Sequence, residues 1–159
     1  MPTPDSPTSL VSPHFTLGEL TLSQAAIRRG LDNTPPPPVL RSLGRLAQAL
    51  ERVRVSLGGV PILISSGYRA PAVNQAVGGA SNSAHLRGLA ADFTAPAFGD
   101  PRAVALHLAA DRDVLFDQLI FEGAWVHIGL SASGVMPRRE VLTAVFRRGI
   151  PTEYRVGIV

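Results

Sequence analysis

The segment Ser83-Ala84-His85-Leu86-Arg87-Gly88-Leu89-Ala90-Ala91-Asp92 decides how the rest of the chain is read. Its first half is built of small and polar residues, the composition of a loop. Its second half opens an apolar run, Leu89 to Thr94, that reads as a strand. Asp92 falls inside that strand between Ala91 and Phe93, so its carboxylate is expected to be at least partly buried. An unpartnered buried carboxylate is costly, which calls for a cation or strong donors beside it. Gly88 lets the chain turn back between the halves, so that His85 and Asp92 can face one point.

A second segment supplies a partner of the right chemistry. In Trp125-Val126-His127-Ile128-Gly129, strand alternation puts Trp125, His127 and Gly129 on one face and Val126 and Ile128 on the other. Two histidines and one aspartate make an N,N,O donor set, and zinc commonly takes three such ligands with a fourth position left open. The chain contains no cysteine. Thiolate nucleophiles, disulfides and cysteine-type zinc sites are therefore excluded, and any metal must be held by His, Asp or Glu. The remaining histidines, His14 and His107, stand in no such pattern and receive no role.

Working outward, Leu40, Leu43, Leu46, Ala47, Leu50 and Val53 recur at helical spacing, which predicts a helix over about 38–57, ended by Gly58-Gly59. Thr16 to Glu19 has capping-box spacing, and Ser23 can cap a further turn that stops at Gly30. A buried strand is expected over 61–66, a short helix over 71–77 and a helix over 101–110 capped by Asp100. Strands over 116–122 and 125–130 read as a hairpin. The end of the chain, 140–146 and 154–159, leaves its pairing open and is expected to add edge strands. Residues 1–13 are rich in Pro, Ser and Thr and read as an extended arm. The fold class is α+β: an antiparallel sheet with flanking helices, taken as a single domain over 1–159.

All fifteen basic residues are arginine and the formal net charge is only +3. The arginines are scattered or paired, without the dense basic run and interleaved aromatics of a nucleic-acid surface, so no nucleic-acid partner is expected. No stretch reaches the roughly 18 apolar residues of a membrane span. The N-terminal residues lack the basic start and apolar run of a Sec signal peptide, so synthesis in the cytoplasm is expected, and any action outside would need another route of delivery.

The pattern Ser83-x-His85-x-x-Gly88-x-Ala90-x-Asp92 resembles the signature of zinc D-Ala-D-Ala carboxypeptidases and the related L-alanyl-D-glutamate endopeptidases, whose fold is shared with the hedgehog signalling domain. Further pieces occur in the same order: Ser66-Gly67-Tyr68-Arg69, Asp117-Gln118-Leu119-Ile120 and Trp125-Val126-His127. The opening from His14-Phe15-Thr16 to Asn33-Thr34-Pro35 is similar to the lead-in of the small phage- and bacterium-encoded branch. The resemblance implies that His85, Asp92 and His127 bind one zinc ion and that Arg69 anchors substrate, a structural ion pair being the other reading of that arginine. Ser83 and Tyr68 would support the site by hydrogen bonds, or serve simply as turn residues. Many relatives carry an acidic residue three positions before the last ligand, where this chain has Ala124. Glu122 is the nearest carboxylate and the expected general base, with Asp117 the second choice. A base must come within about 3 Å of the water it deprotonates, directly or through one water.

The resemblance covers roughly residues 13–130 and implies a single zinc peptidase domain over 1–159 with that stretch as its family-like core. The activity it implies, acting at the cell wall, is zinc-dependent hydrolysis of peptidoglycan stem peptides, as a D-Ala-D-Ala carboxypeptidase or an L-Ala-D-Glu endopeptidase. Two alternatives stand beside it: a zinc-containing module that binds cell wall without cutting it, and a structural module that partners phage particle components.

Overall fold

The computed structural model describes residues 6–159. Of the expected N-terminal arm, residues 1–5 lie outside the described part. The remainder is not simply extended: β1 (Leu10–Ser12) folds back on β2 (Phe15–Thr16) as a small antiparallel ribbon. Glu51 ties that ribbon to the next layer, accepting from Ser12 Oγ at 2.6 Å and from His14 N at 2.8 Å. His14 Nδ1 meets the same carboxylate at 2.8 Å, so this histidine is a structural tie.

The capping box is present, with Thr16 Oγ1 accepting from Glu19 N at the start of α1 (Leu17–Thr21). Ser23 caps α2 (Gln24–Arg29), and Gly30 ends it in the left-handed conformation, as its lack of a Cβ permits. Pro37 opens α3 (Pro37–Ser56), where the missing proline N–H costs nothing. The stripe Leu43, Leu46, Ala47, Leu50 and Val53 is wholly buried, so the periodic apolar face does pack into the core.

The main sheet has six strands in the order β3-β4-β6-β5-β7-β8. These are β3 (Leu63–Ser66), β4 (Ala90–Thr94), β5 (Gln118–Phe121), β6 (Val126–Gly129), β7 (Glu140–Arg147) and β8 (Ile150–Val156). Two expectations need correction. The strand near residue 61 is an edge strand and not a buried one, with Leu63 exposed, because only β4 pairs with it. The sheet is antiparallel except at one pair, where β7 runs parallel to β5. The chain between them, residues 122–139, includes all of β6, so β7 reaches the outer side of β5 travelling in the same direction.

One sheet face is apolar. Ala91, Phe93, Leu119, Val126 and Ile128 join the stripe of α3 and the buried side of α5 (Pro101–Ala110) in a continuous core. Asp100 caps α5 by accepting from Ala103 N at 2.8 Å. Strand alternation then obliges Asp92 and His127 to face the other way, on the opposite side of the sheet from this core. α4 (Pro71–Ala76) and a single 3-10 turn, Ala84–Arg87, close over that side. Among the described residues, no helix is long and apolar enough to cross a membrane.

Leu50 sits fully buried at the centre of α3. Leu50→Ala is expected to lower the unfolding free energy by about 2–5 kcal/mol in urea titration, the usual loss for a core leucine. A loss within experimental error would mean that α3 does not anchor the core.

Candidate metal centre

Three chain segments deliver the three candidate ligands. The strand register aligns Ser66, Asp92 and His127 in one row across β3, β4 and β6. His85 comes from the 3-10 turn, capped by Ser83, whose Oγ accepts from His85 N at 3.3 Å. Gly88 ends that turn at φ +67°, and its missing Cβ lets Val39 and Leu43 of α3 pack against it. A side chain there would both strain the backbone and collide with Val39 and Leu43.

The donor atoms of His85, Asp92 and His127 all lie within 4.8 Å of one another. His85 Nε2 is 3.3 Å from Asp92 Oδ1, and His127 Nδ1 is 2.9 Å from the same oxygen. Ligands around a tetrahedral zinc at about 2.0–2.2 Å are roughly 3.3 Å apart, so these separations suit such an ion. All three residues are nearly enclosed, with exposures of 2%, 9% and 8%.

The protonation pattern argues for a cation at this point. His85 Nδ1 lies 2.7 Å from the Gly67 carbonyl, which can only accept, so Nδ1 carries the hydrogen. In the neutral ring Nε2 is then a lone pair facing a carboxylate oxygen. Burial pushes the His85 imidazolium below its ordinary value, and the attraction of Asp92 does not make up the difference. Asp92 moves in a direction that keeps it ionised. Burial works against its charge, but the hydrogen bond with His127 counters it first, and the carboxyl is held well below the usual range. A neutral imidazole and a carboxylate facing each other through lone pairs need a positive ion between them. The carbonyl behind His85 is also the outer partner that metal-ligating histidines usually have. The residues present therefore fit a zinc ion.

Around the triad lies a cleft of about 540 Å³, lined among others by Arg69, Ser83, Glu122, Gln118 and Tyr154. Arg69 is held by its backbone, whose N–H donates to the His85 carbonyl at 3.1 Å. Its guanidinium makes no ion pair among the described residues, and its buried Nε has no hydrogen-bond partner. Burial weakens its charge, and Asp92 and Glu122 partly restore it. A sunken arginine without an anion is a site waiting for one, which disfavours the structural ion-pair reading.

Glu122 follows β5 at a tight turn, its N–H donating to the Trp125 carbonyl at 3.0 Å. Ile120 pairs with His127, so two residues further along Glu122 shares the face of His127 and enters the cleft. Burial pushes its carboxyl above the ordinary value and the charge of Asp92 adds to the rise. His127, Trp125 and Arg69 offset only part of it; the Trp125 indole N–H favours the charged form without making a hydrogen bond of ordinary geometry. Ala124 lies exposed at the tip of the turn. Asp117 stands at the opposite end of β5, where Arg138 takes both carboxylate oxygens, Oδ1 through its backbone N at 2.9 Å and Oδ2 through Nη2 at 2.7 Å. It is occupied as an ion-pair partner.

Tyr68 departs from the expected pattern. Its side chain is buried in the apolar core and does not line the cleft, because neighbouring residues in an extended segment point opposite ways and Arg69 takes the cleft side. Asn33 was not singled out from its sequence, yet it holds this segment in place. Its Nδ2 donates to Thr21 O at 2.7 Å and Tyr68 O at 3.0 Å, while Oδ1 accepts from Ala70 N at 2.7 Å. The one signal was its place in the Asn33-Thr34-Pro35 lead-in. His107 lies away from the site, with Nε2 beside Ser56 O at 2.9 Å.

A model of the family described as Peptidase M15 matches residues 13–129. A protein from Streptomyces albus G, named zinc D-Ala-D-Ala carboxypeptidase, is 44% identical over 50 residues. That stretch is 31% of this chain and 20% of the length of the relative.

Two outcomes follow from this geometry. His85→Ala and Asp92→Ala are each expected to weaken zinc binding by at least tenfold in calorimetric titration, whereas His107→Ala leaves it unchanged; equal affinity in all three would place the metal elsewhere. Asn33→Ala is expected to cost about 1–3 kcal/mol in thermal or urea unfolding, from the half-buried amide and carbonyls left unpaired.

Proposed function

The chain belongs to the peptidase M15 family, and from that premise we propose that it hydrolyses peptide bonds in the stem peptides of bacterial peptidoglycan, using one zinc ion held by His85, Asp92 and His127. The observation that carries the reading is the convergence of these three donors on the floor of a cleft that Arg69 and Glu122 also line. The name of the Streptomyces relative supports a carboxypeptidase acting on D-Ala-D-Ala, while the L-Ala-D-Glu endopeptidase remains the other member of the same class. Residues 13–130 are proposed as the unit that carries the activity.

A zinc ion in such a site supplies Lewis acidity, polarising a carbonyl and making water more acidic. The chain's own groups do the rest. Arg69 receives a carboxylate or peptide carbonyl of the substrate, and its fork of donors fixes orientation as well as charge. Glu122 takes one proton from the attacking water as the water oxygen bonds to the scissile carbonyl carbon. When the C–N bond breaks, the same carboxyl gives that proton to the departing amine, so Glu122 ends as it began. Its raised pKa makes the carboxylate a stronger base and brings the group nearer the operating pH, where one group can both take up and return a proton. Ser83 supports the turn that presents His85.

The test is mass spectrometry of purified muropeptides incubated with the protein, with chelator, and with zinc restored. A defined fragment that vanishes with chelator and returns with zinc is expected, and its mass names the bond. Intact muropeptides after incubation with folded, zinc-loaded protein would contradict the reading and favour a wall-binding or phage structural module. Glu122→Gln is expected to retain zinc and lose at least a hundredfold in kcat. Because the base must be unprotonated and burial raises its pKa, activity should fall as pH drops through a point above the ordinary glutamate range. A pH profile flat down to that ordinary range would rule Glu122 out as the base.

A further inference from the structure

Tyr154 stands on β8, beyond the residues that match the family model. The sheet register nevertheless brings it to the cleft. Phe121 pairs with Thr143, and running that parallel register on by one residue aligns Glu122 with Ala144. Ala144 pairs with Tyr154. The three residues form one transverse row on the cleft face, and at about 4.8 Å per strand the backbones of Glu122 and Tyr154 are roughly 10 Å apart. Only the methyl group of Ala144 lies between them. It is 6% exposed although it carries no large side chain, as expected if its taller neighbours close over it.

Tyr154 lines the same cleft as Glu122, Arg69 and the three donors. Its ring is half exposed, and its hydroxyl has no hydrogen-bond partner among the described residues. Partial burial and then the negative charge of Glu122 push its phenol above the usual value, so it remains a donor throughout the neutral range. The hairpin that carries it is anchored at its other end, where Phe146 of β7 stacks against Trp125 with ring centroids 6.4 Å apart. A donor without a partner, two strands from the base on the same face of the sheet, is placed to meet a polar group of a bound chain.

We propose that Tyr154 is a substrate-contacting residue whose phenol hydroxyl donates a hydrogen bond to a carbonyl or carboxylate of the stem peptide lying over Glu122. The inference rests on the reading of the cleft as a stem-peptide hydrolase. It gives the β7–β8 hairpin, which lies outside the family match, a part in choosing substrate.

The experiment uses the zinc-loaded Glu122→Gln protein, expected to bind without cutting, titrated calorimetrically with a purified muropeptide, alone and combined with Tyr154→Phe. The second change is expected to raise Kd roughly tenfold, the worth of one hydrogen bond, with zinc content and melting temperature unchanged. Tyr154→His, which restores a donor on a smaller ring, should recover part of that loss. Equal affinity with and without the hydroxyl overturns the assignment of Tyr154 and leaves the proposed function standing. If neither protein binds the muropeptide while both carry zinc and melt normally, the stem-peptide reading fails and Tyr154 falls with it.

Discussion

Asp92 is an ionised carboxylate enclosed between two imidazoles, and much of the architecture serves to keep it so. Its strand is buried on the core side by Ala91 and Phe93, which fixes the direction of the carboxylate. Its oxygen meets a His85 nitrogen that carries a lone pair, because the other ring nitrogen has already donated its hydrogen to Gly67. Such an arrangement is unfavourable without a cation and tightly organised with one. The same enclosure that makes the empty charge costly makes a bound metal ion effective, since few water molecules compete for the site.

The segment from Gly67 to Ala70 supports that arrangement with four consecutive residues. The Gly67 carbonyl orients His85, and the close approach of its backbone to Leu20 leaves no room for a side chain. Tyr68 anchors the segment in the core, Arg69 faces the cleft, and Ala70 is held by Asn33. α1 and the loop bearing Asn33 thus reach the metal centre through one layer of hydrogen bonds. This accounts for the N-terminal elements being part of the same packed unit as the site.

What could be read in the sequence was what local chemistry determines. The stripe of α3, the caps at Thr16, Ser23 and Asp100, and the alternation around His127 each rest on residues a few positions apart. The aspartate inside an apolar strand and the two histidines of a cysteine-free chain suggested a metal site, and the resemblance of residues 83–92 to a zinc-peptidase signature is what implied these three donors as one set. Long-range pairing was not legible. The parallel addition of β7 to β5 and the exposure of β3 depend on which strands meet, and Tyr154 enters the cleft only through two such pairings. The resemblance of Ser66 to Arg69 implies a site role for Tyr68, but adjacent residues of an extended chain point to opposite sides and Tyr68 takes the core side. Asn33 has partners 12 to 37 residues away, beyond any local pattern.

X-ray absorption spectroscopy of the zinc-loaded protein tests the central claim most directly. The account predicts four light-atom ligands at about 2.0–2.1 Å with the multiple scattering of two imidazoles, reduced to one imidazole in His85→Ala. A six-coordinate, oxygen-rich shell, or a spectrum unchanged by His85→Ala, would contradict it.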